Sequence, residues 1–231
     1  MTDLTLTSGF IQTREHNAVL HVTLDRADKL NALTVAMYQD LTAAVQHLAE
    51  RDDLNALLIT AKGRSYCAGN DIQDFLQADP ASRDDGKLSP AMVLITTMKK
   101  VTGASCGHVT GNATGIGTTM LLHADLVIAA DDARFHTAFI NLGLVPEAGS
   151  SLILPALIGR QNANRLLLAG DTFNAEEAER MGLIAYRTGV DELASEALAL
   201  AERLAEKTPA AIAMTKQLTR LSDAAIKTQI E

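Results

Sequence analysis

Glu147 stands in the stretch Leu142-Gly-Leu-Val-Pro-Glu-Ala-Gly-Ser-Ser151 as a lone carboxylate among apolar and small residues. Such a carboxylate is either a surface loop charge or a partly desolvated acid–base group whose pKa burial raises. Its immediate neighbours alone lean slightly toward the loop charge. Two other segments carry glycine where chemistry could use it. Cys67-Ala-Gly-Asn-Asp71 follows a short apolar run, and Gly115-Ile-Gly117 opens a helical one. Glycine lets a ligand come close to backbone N–H groups, and a helix start favours negative charge. Two such donors converging from separate segments make an oxyanion hole, although an ordinary tight turn explains either segment taken alone.

Other constellations lead nowhere. Gly103-Ala-Ser-Cys-Gly107 matches the G-x-S-x-G nucleophile elbow. That chemistry needs an acid and then a histidine downstream of the serine, yet only His108, His123 and His136 follow Ser105, all close behind it. Small residues packing in a strand explain the pattern better. The six histidines form no HxH or HExxH spacing, and Cys67 and Cys106 stand apart, so no metal site is visible. Asn112-Ala-Thr114 is a sequon in form only. Neither a G-x-x-x-x-G-K loop nor a G-x-G-x-x-G after a strand is present.

The elements that must position these groups follow from hydrophobic period and punctuation. Residues 18–24 alternate as a strand closed by Asp25-Arg-Ala-Asp28. Thr34 reads as an N-cap, with Met37, Leu41, Ala44, Val45 and Leu48 at helical spacing over 35–50. Residues 56–60 and 126–129 are short, uniformly apolar strands of the buried kind. Residues 77–90 read as a mobile loop. A helix near 90–100, a strand near 105–110 and a helical stretch over 117–123 come next. Helices are expected at 160–169, with Gly170 closing the first, and at 175–181, 191–206 and 209–222, with a short strand at Leu183–Tyr186. Strand–helix–strand units followed by a helical last third make an α/β chain.

Composition narrows the partner. The chain has 231 residues, with 20 Lys and Arg against 28 Asp and Glu, hence a formal charge of −8. An acidic chain without basic runs is a poor binder of nucleic acid or anionic membrane. Tryptophan is absent and aromatics make up 3%, which removes base-stacking platforms. No apolar run approaches the roughly 18 residues of a membrane span. Residues 1–10 lack a signal-peptide profile. A cytoplasmic protein with reduced cysteines, acting on something small, is the expectation.

Taken in order, the segments resemble the crotonase (enoyl-CoA hydratase/isomerase) superfamily. The likeness runs through Asp25-Arg, Leu30-Asn-Ala-Leu33, Tyr66-Cys-Ala-Gly-Asn-Asp-Ile72, Gly115-Ile-Gly117, residues 124–135, Asn141-Leu-Gly-Leu-Val-Pro-Glu147 and Leu157-Ile-Gly159. It implies a spiral of ββα repeats over 1–190 and a helical region over 191–231, shorter than the family usually carries. It also implies assembly as a homotrimer or dimer of trimers. The substrate is an acyl-CoA thioester, with coenzyme A entering as part of the substrate and no separate cofactor. Its carbonyl would sit between the N–H groups of Ala68 and Ile116. Ala68, Gly69, Asn70 and Asp71 would line the substrate, and Lys29 would meet the CoA moiety. Hydratases of the superfamily use two glutamates, which align with Thr119 and Phe139 here. Δ3,Δ2-enoyl-CoA isomerases keep one carboxylate, which aligns with Glu147. The expected reaction is therefore double-bond migration with Glu147 as proton shuttle. The alternatives are thioester hydrolysis or weak hydration at the same site, or acyl-CoA binding without catalysis.

Overall fold

The computed structural model describes residues 4–77 and 88–220, so most of the expected loop over 77–90 lies outside the described residues. Two strands, β1 (Ile11–His16) and β2 (Val19–Leu24), form a hairpin. Its two-residue loop, Asn17-Ala18, has both φ angles positive, at 48° and 60°, as a type I′ turn requires. The sequence reading missed β1 because Gln-Thr-Arg-Glu-His is polar on both faces; it is the edge of the sheet. Helix α1 (Val35–Ala49) follows, capped by the Thr34 hydroxyl accepting from the Met37 N–H.

From β3 onward the chain repeats one device. β3 (Ala56–Ala61), β5 (Ala104–Val109) and β7 (Leu126–Ala130) each add a parallel strand to a large sheet that ends on β10 (Tyr186–Thr188), in the order β1-β2-β3-β5-β7-β10. The strand after each of them, β4 (Ser65–Cys67), β6 (Asn112–Thr114) and β8 (Arg134–His136), adds to a second sheet, closed by β9 (Phe173–Asn174). Parallel neighbours need a crossover. It is supplied after β4 by α2 (Ile72–Gln77) and α3 (Pro90–Met98), and after β6 by α4 (Ile116–Thr119), which runs on as a 3-10 turn to His123. After β8 come α5 (Ser150–Ile158) and α6 (Arg160–Asn164). The result is the expected spiral of ββα turns.

The large sheet is buried on both faces, which is why β3 reads as a continuous apolar run. Leu57 and Ile59 join the main core with Met37, Leu41, Tyr66, Ile95 and Phe135. Ala56 and Leu58 face the other way, with Ala104, Cys106 and Ala130, against helix α8 (Leu193–Ala205) through Ala197 and Ala201. The small residues of 103–107 thus have packing reasons. A Cβ on Gly107 would stand 2.6 Å from Leu121 Cδ2.

Ser105 is 3% exposed near the start of β5, and both its N–H and its hydroxyl donate to Asp125 at 2.8 Å. Asp125 also pairs with Lys216 at 2.7 Å and Arg220 at 2.8 Å, which pins helix α9 (Pro209–Thr219) to the sheet. Ser105 is therefore a packing residue.

Helix α7 (Ala175–Met181) opens on an Asn174–Glu177 capping box and closes at Gly182. The strand expected at Leu183–Tyr186 forms instead at Tyr186–Thr188, as β10. Leu183 and Ile184 are drawn into the core as their N–H groups turn back to the Ala178 carbonyl. Among the described residues no helix is long and apolar enough to cross a membrane.

Candidate active site

The first wall is built on an unusual turn. Leu30 and Asn31 both adopt left-handed φ, 51° and 56°, a conformation Asn tolerates better than other residues with a side chain. Asn31 is completely buried. Its carbonyl oxygen accepts from the Arg26 N–H, and its amide donates to the carbonyls of Lys62 and Ser65, all at 2.8 Å. Arg26 bonds the Ala32 carbonyl at 2.9 Å and Asp71 at 2.7 Å. The turn thereby grips the segment 67–71 along its length. Leu33 donates to the Gly69 carbonyl at 2.8 Å and accepts from the Asp71 N–H at 2.9 Å.

This grip changes the expected roles of two residues. The Ala68 N–H donates to the Leu30 carbonyl at 3.0 Å, so the protein itself has taken the donor assigned to it. The carboxylate of Asp71 pairs with Arg26, which holds its pKa below the usual carboxylate value, and accepts from the Gln73 N–H at the start of α2. Asp71 is thus part of the scaffold and not a free substrate contact. The N–H of Asn70 has no acceptor among the described residues.

The second wall is the start of α4. The Gly115 N–H is spent on the His136 carbonyl at 2.8 Å, and those of Thr118 and Thr119 return to Gly115 at 3.0 Å. The N–H groups of Ile116 and Gly117 have no acceptor among the described residues. The two walls touch. A Cβ on Gly117 would lie 2.6 Å from the Cys67 carbonyl oxygen, and one on Gly115 would lie 3.9 Å from Gly69 Cα. Gly69 itself has a φ of +104° that side chains rarely adopt. Free N–H groups at 70 and 116 are therefore presented by abutting segments.

Glu147 is the candidate acid–base group. It is half-buried, its carboxylate has no hydrogen-bond partner among the described residues, and burial raises its pKa. Tyr38, 5% exposed on α1, donates its hydroxyl to the Asn70 side-chain oxygen. Its own pKa is pushed well up, first by burial and then by the nearby Cys67 and Glu147. Tyr38 thus touches the first wall while feeling the Glu147 charge. The Glu147 carbonyl accepts from the N–H and hydroxyl of Ser150, at 3.0 and 2.6 Å. His123 Nε2 lies 2.8 Å from the Ala148 carbonyl.

Thr119 and Phe139 are both buried, and neither offers a carboxylate; the Thr119 hydroxyl has no partner among the described residues. Lys29 is exposed at the end of a 3-10 turn and forms no ion pair among the described residues. No cluster of metal-ligating side chains exists among the described residues. Tyr38 and His123 were not singled out by sequence. Tyr38 occupies the core face of a regular helix, and its only signal was a polar tip among aliphatic neighbours.

A spiral of this kind, with unspent backbone donors on abutting segments and a desolvated carboxylate whose charge reaches Tyr38 beside them, is the architecture of crotonase-type acyl-CoA enzymes. The family model for enoyl-CoA hydratase/isomerase matches residues 14–231, and the chain belongs to that family. It is 32% identical over 211 residues to 1,2-epoxyphenylacetyl-CoA isomerase of Escherichia coli, covering 90% of this chain and 80% of that protein. It is 32% identical over 218 residues to enoyl-CoA delta isomerase 2 of Rattus norvegicus, covering 93% of this chain and 55% of that one. Several other relatives carry enoyl-CoA hydratase names. The crystal structure of an enoyl-CoA hydratase/isomerase from Pseudoalteromonas atlantica superposes with a TM-score of 0.90 at 33% identity, covering 96% of this chain and 87% of that one.

Proposed function

We propose that the protein shifts the double bond of a 3-enoyl-CoA to the 2-position. The observation that carries this reading is Glu147: one half-buried carboxylate with a raised pKa and no partner among the described residues, its charge felt by the Tyr38 that bonds Asn70, with threonine and phenylalanine where hydratases keep their glutamates. The thioester carbonyl is received by the N–H groups of Asn70 and Ile116. Asn70 replaces Ala68 in this role because the Ala68 donor is already bonded to Leu30. Polarising the carbonyl acidifies C2, since the charge left by proton removal moves onto the held oxygen. Each such donor is worth about 2.7–4 kcal/mol in the transition state. Glu147 takes a proton from C2, the dienolate forms, and the same carboxylic acid returns the proton at C4. A carboxyl group doing both steps works best with a pKa near the working pH, the direction in which burial moves it. Gly69 and Asn70 line the thioester end, and Lys29, exposed beside the turn, meets the CoA phosphates.

The names of the Escherichia coli and rat relatives, both isomerases, support a reaction without added water. We also take the chain to assemble as a homotrimer or a dimer of trimers. Ile140, Leu142, Leu144 and Val145 expose apolar surface that assembly would cover.

The test is trans-3-enoyl-CoA followed by the absorbance of the conjugated thioester. Turnover by the wild type, lost by at least about a hundredfold in Glu147→Gln, supports the reading. Loss of conjugation from a 2-enoyl-CoA would mark hydration, release of free CoA would mark hydrolysis, and binding without turnover would mark a silent acyl-CoA binder.

A further inference from the structure

We propose that His123 is a positioning residue, whose imidazole sets Glu147 relative to the backbone donor at Ile116. This rests on the reading given above. His123 ends the helical run that begins at Ile116, so the ring is carried by the element that presents the donor. It is 6% exposed, and its Nε2 lies 2.8 Å from the carbonyl of Ala148, the residue after Glu147. A nitrogen facing a carbonyl must carry the hydrogen, so Nε2 donates. Burial, with Lys99 and Arg220 nearby, depresses the pKa to about 4 and keeps the ring neutral.

The loop needs such a tie. Ala148 has a φ of 55° and Gly149 one of 70°. A left-handed non-glycine residue costs free energy and persists where its surroundings over-determine it. The Glu147 carbonyl is held by Ser150, which lies within the same loop-to-helix junction. The Ala148 carbonyl is held by His123 from a different element, so among the bonds on these two carbonyls this one fixes the Glu147 loop against the second wall. A side chain misplaced by about 1 Å costs a reaction about a hundredfold.

The experiment compares His123→Leu, which removes the donor, with His123→Gln, which keeps an N–H. Both are assayed with trans-3-enoyl-CoA, with rates normalised to acyl-CoA binding sites counted by equilibrium dialysis. The expected result is a fall in kcat of at least about tenfold in His123→Leu, a KM within about twofold of wild type, and recovery of most of kcat in His123→Gln. If His123→Leu does not fold, His123→Met, unbranched and without a donor, carries the same prediction. A kcat per site within about twofold of wild type, or His123→Gln no better than His123→Leu, overturns the proposal. Exchange of the C2 protons of a saturated acyl-CoA in D2O separates the two levels. A wild type that exchanges while the variants match it overturns the positioning role alone. A wild type that neither isomerises nor exchanges overturns the proposed function and this inference with it.

Discussion

The two sides of the site are held in opposite ways. The turn over 26–33 is bonded into the segment 62–71 by buried Asn31, by the Arg26–Asp71 pair and by a row of backbone bonds. The loop over 138–147 makes chiefly local bonds, such as those of the Leu142 and Leu144 N–H groups to the Phe139 carbonyl, and leaves Leu142 and Val145 facing solvent. The difference matches the two jobs assigned to them. Donors stabilise charge through preorganisation and gain nothing from movement. The carboxylate is held by fewer bonds from outside its own loop, the His123–Ala148 contact at 2.8 Å being one of them. Many bonds along a segment hold the oxygen's donors, and a few hold the proton carrier.

The strongest way to sharpen the contrast is Glu147→Gln. Turnover should fall by at least about a hundredfold, while the melting temperature rises because a desolvated charge has gone. A lower melting temperature would place Glu147 in an attractive network and not in an apolar recess.

Acid should break the two sides at different points. Burial lowers His123, and His108 as well, to about 4, below the ordinary 6.5. Between these values the unfolded chain binds more protons, so stability falls as pH drops from about 6.5 toward 4, by up to about 1.4 kcal/mol per pH unit for each histidine. Asp71 has a lowered pKa, so its contribution is present above the ordinary carboxylate value and is lost only as pH falls below it. Glu147 works in the other sense: its raised pKa means stability falls as pH rises through that value. Hydrogen exchange at pH 5 should therefore show amides of 140–150 opening before those of 26–33; simultaneous opening would refute the contrast.

Asn31→Ala should cost about 2–3 kcal/mol in urea unfolding, because it strands the buried Ser65 carbonyl together with the Lys62 carbonyl and the Arg26 N–H. Asn141→Ala on the looser side should stay within about 0.5 kcal/mol. The smallest effect expected on turnover is that of Tyr38→Phe. It frees the Asn70 side chain and should lower kcat about fivefold, the worth of one hydrogen bond of about 1 kcal/mol. No change would confine Tyr38 to packing.

What the sequence revealed of this arrangement depended on how local the cause was. The runs of β3 and β7, the Thr34 cap and the Gly170 stop are set within a few residues and were legible. β4, β6 and β8 have three residues each, too few for any period to register. Their existence depends on the spiral bringing them side by side. The exclusion of Ser105 as a nucleophile followed from chain order, whereas its bond to Asp125 and the Lys216 pair behind it did not. Reading Ala68 as a donor failed for a non-local reason. Which N–H of 67–71 is left free depends on where the left-handed turn at Leu30–Asn31 aims the Leu30 carbonyl, more than thirty residues earlier. His123 was invisible for the same kind of reason, since its partner carbonyl lies in another loop.

The free donors at 70 and 116 belong to the main chain, not to the side chains of Asn and Ile. An alanine scan would pass over both positions without removing either hydrogen, and among the twenty residues only proline deletes one. A substitution there acts instead through the side chain's own contacts, the bond of Asn70 with Tyr38 and the packing of Ile116 in the core, while the backbone hydrogen stays in place.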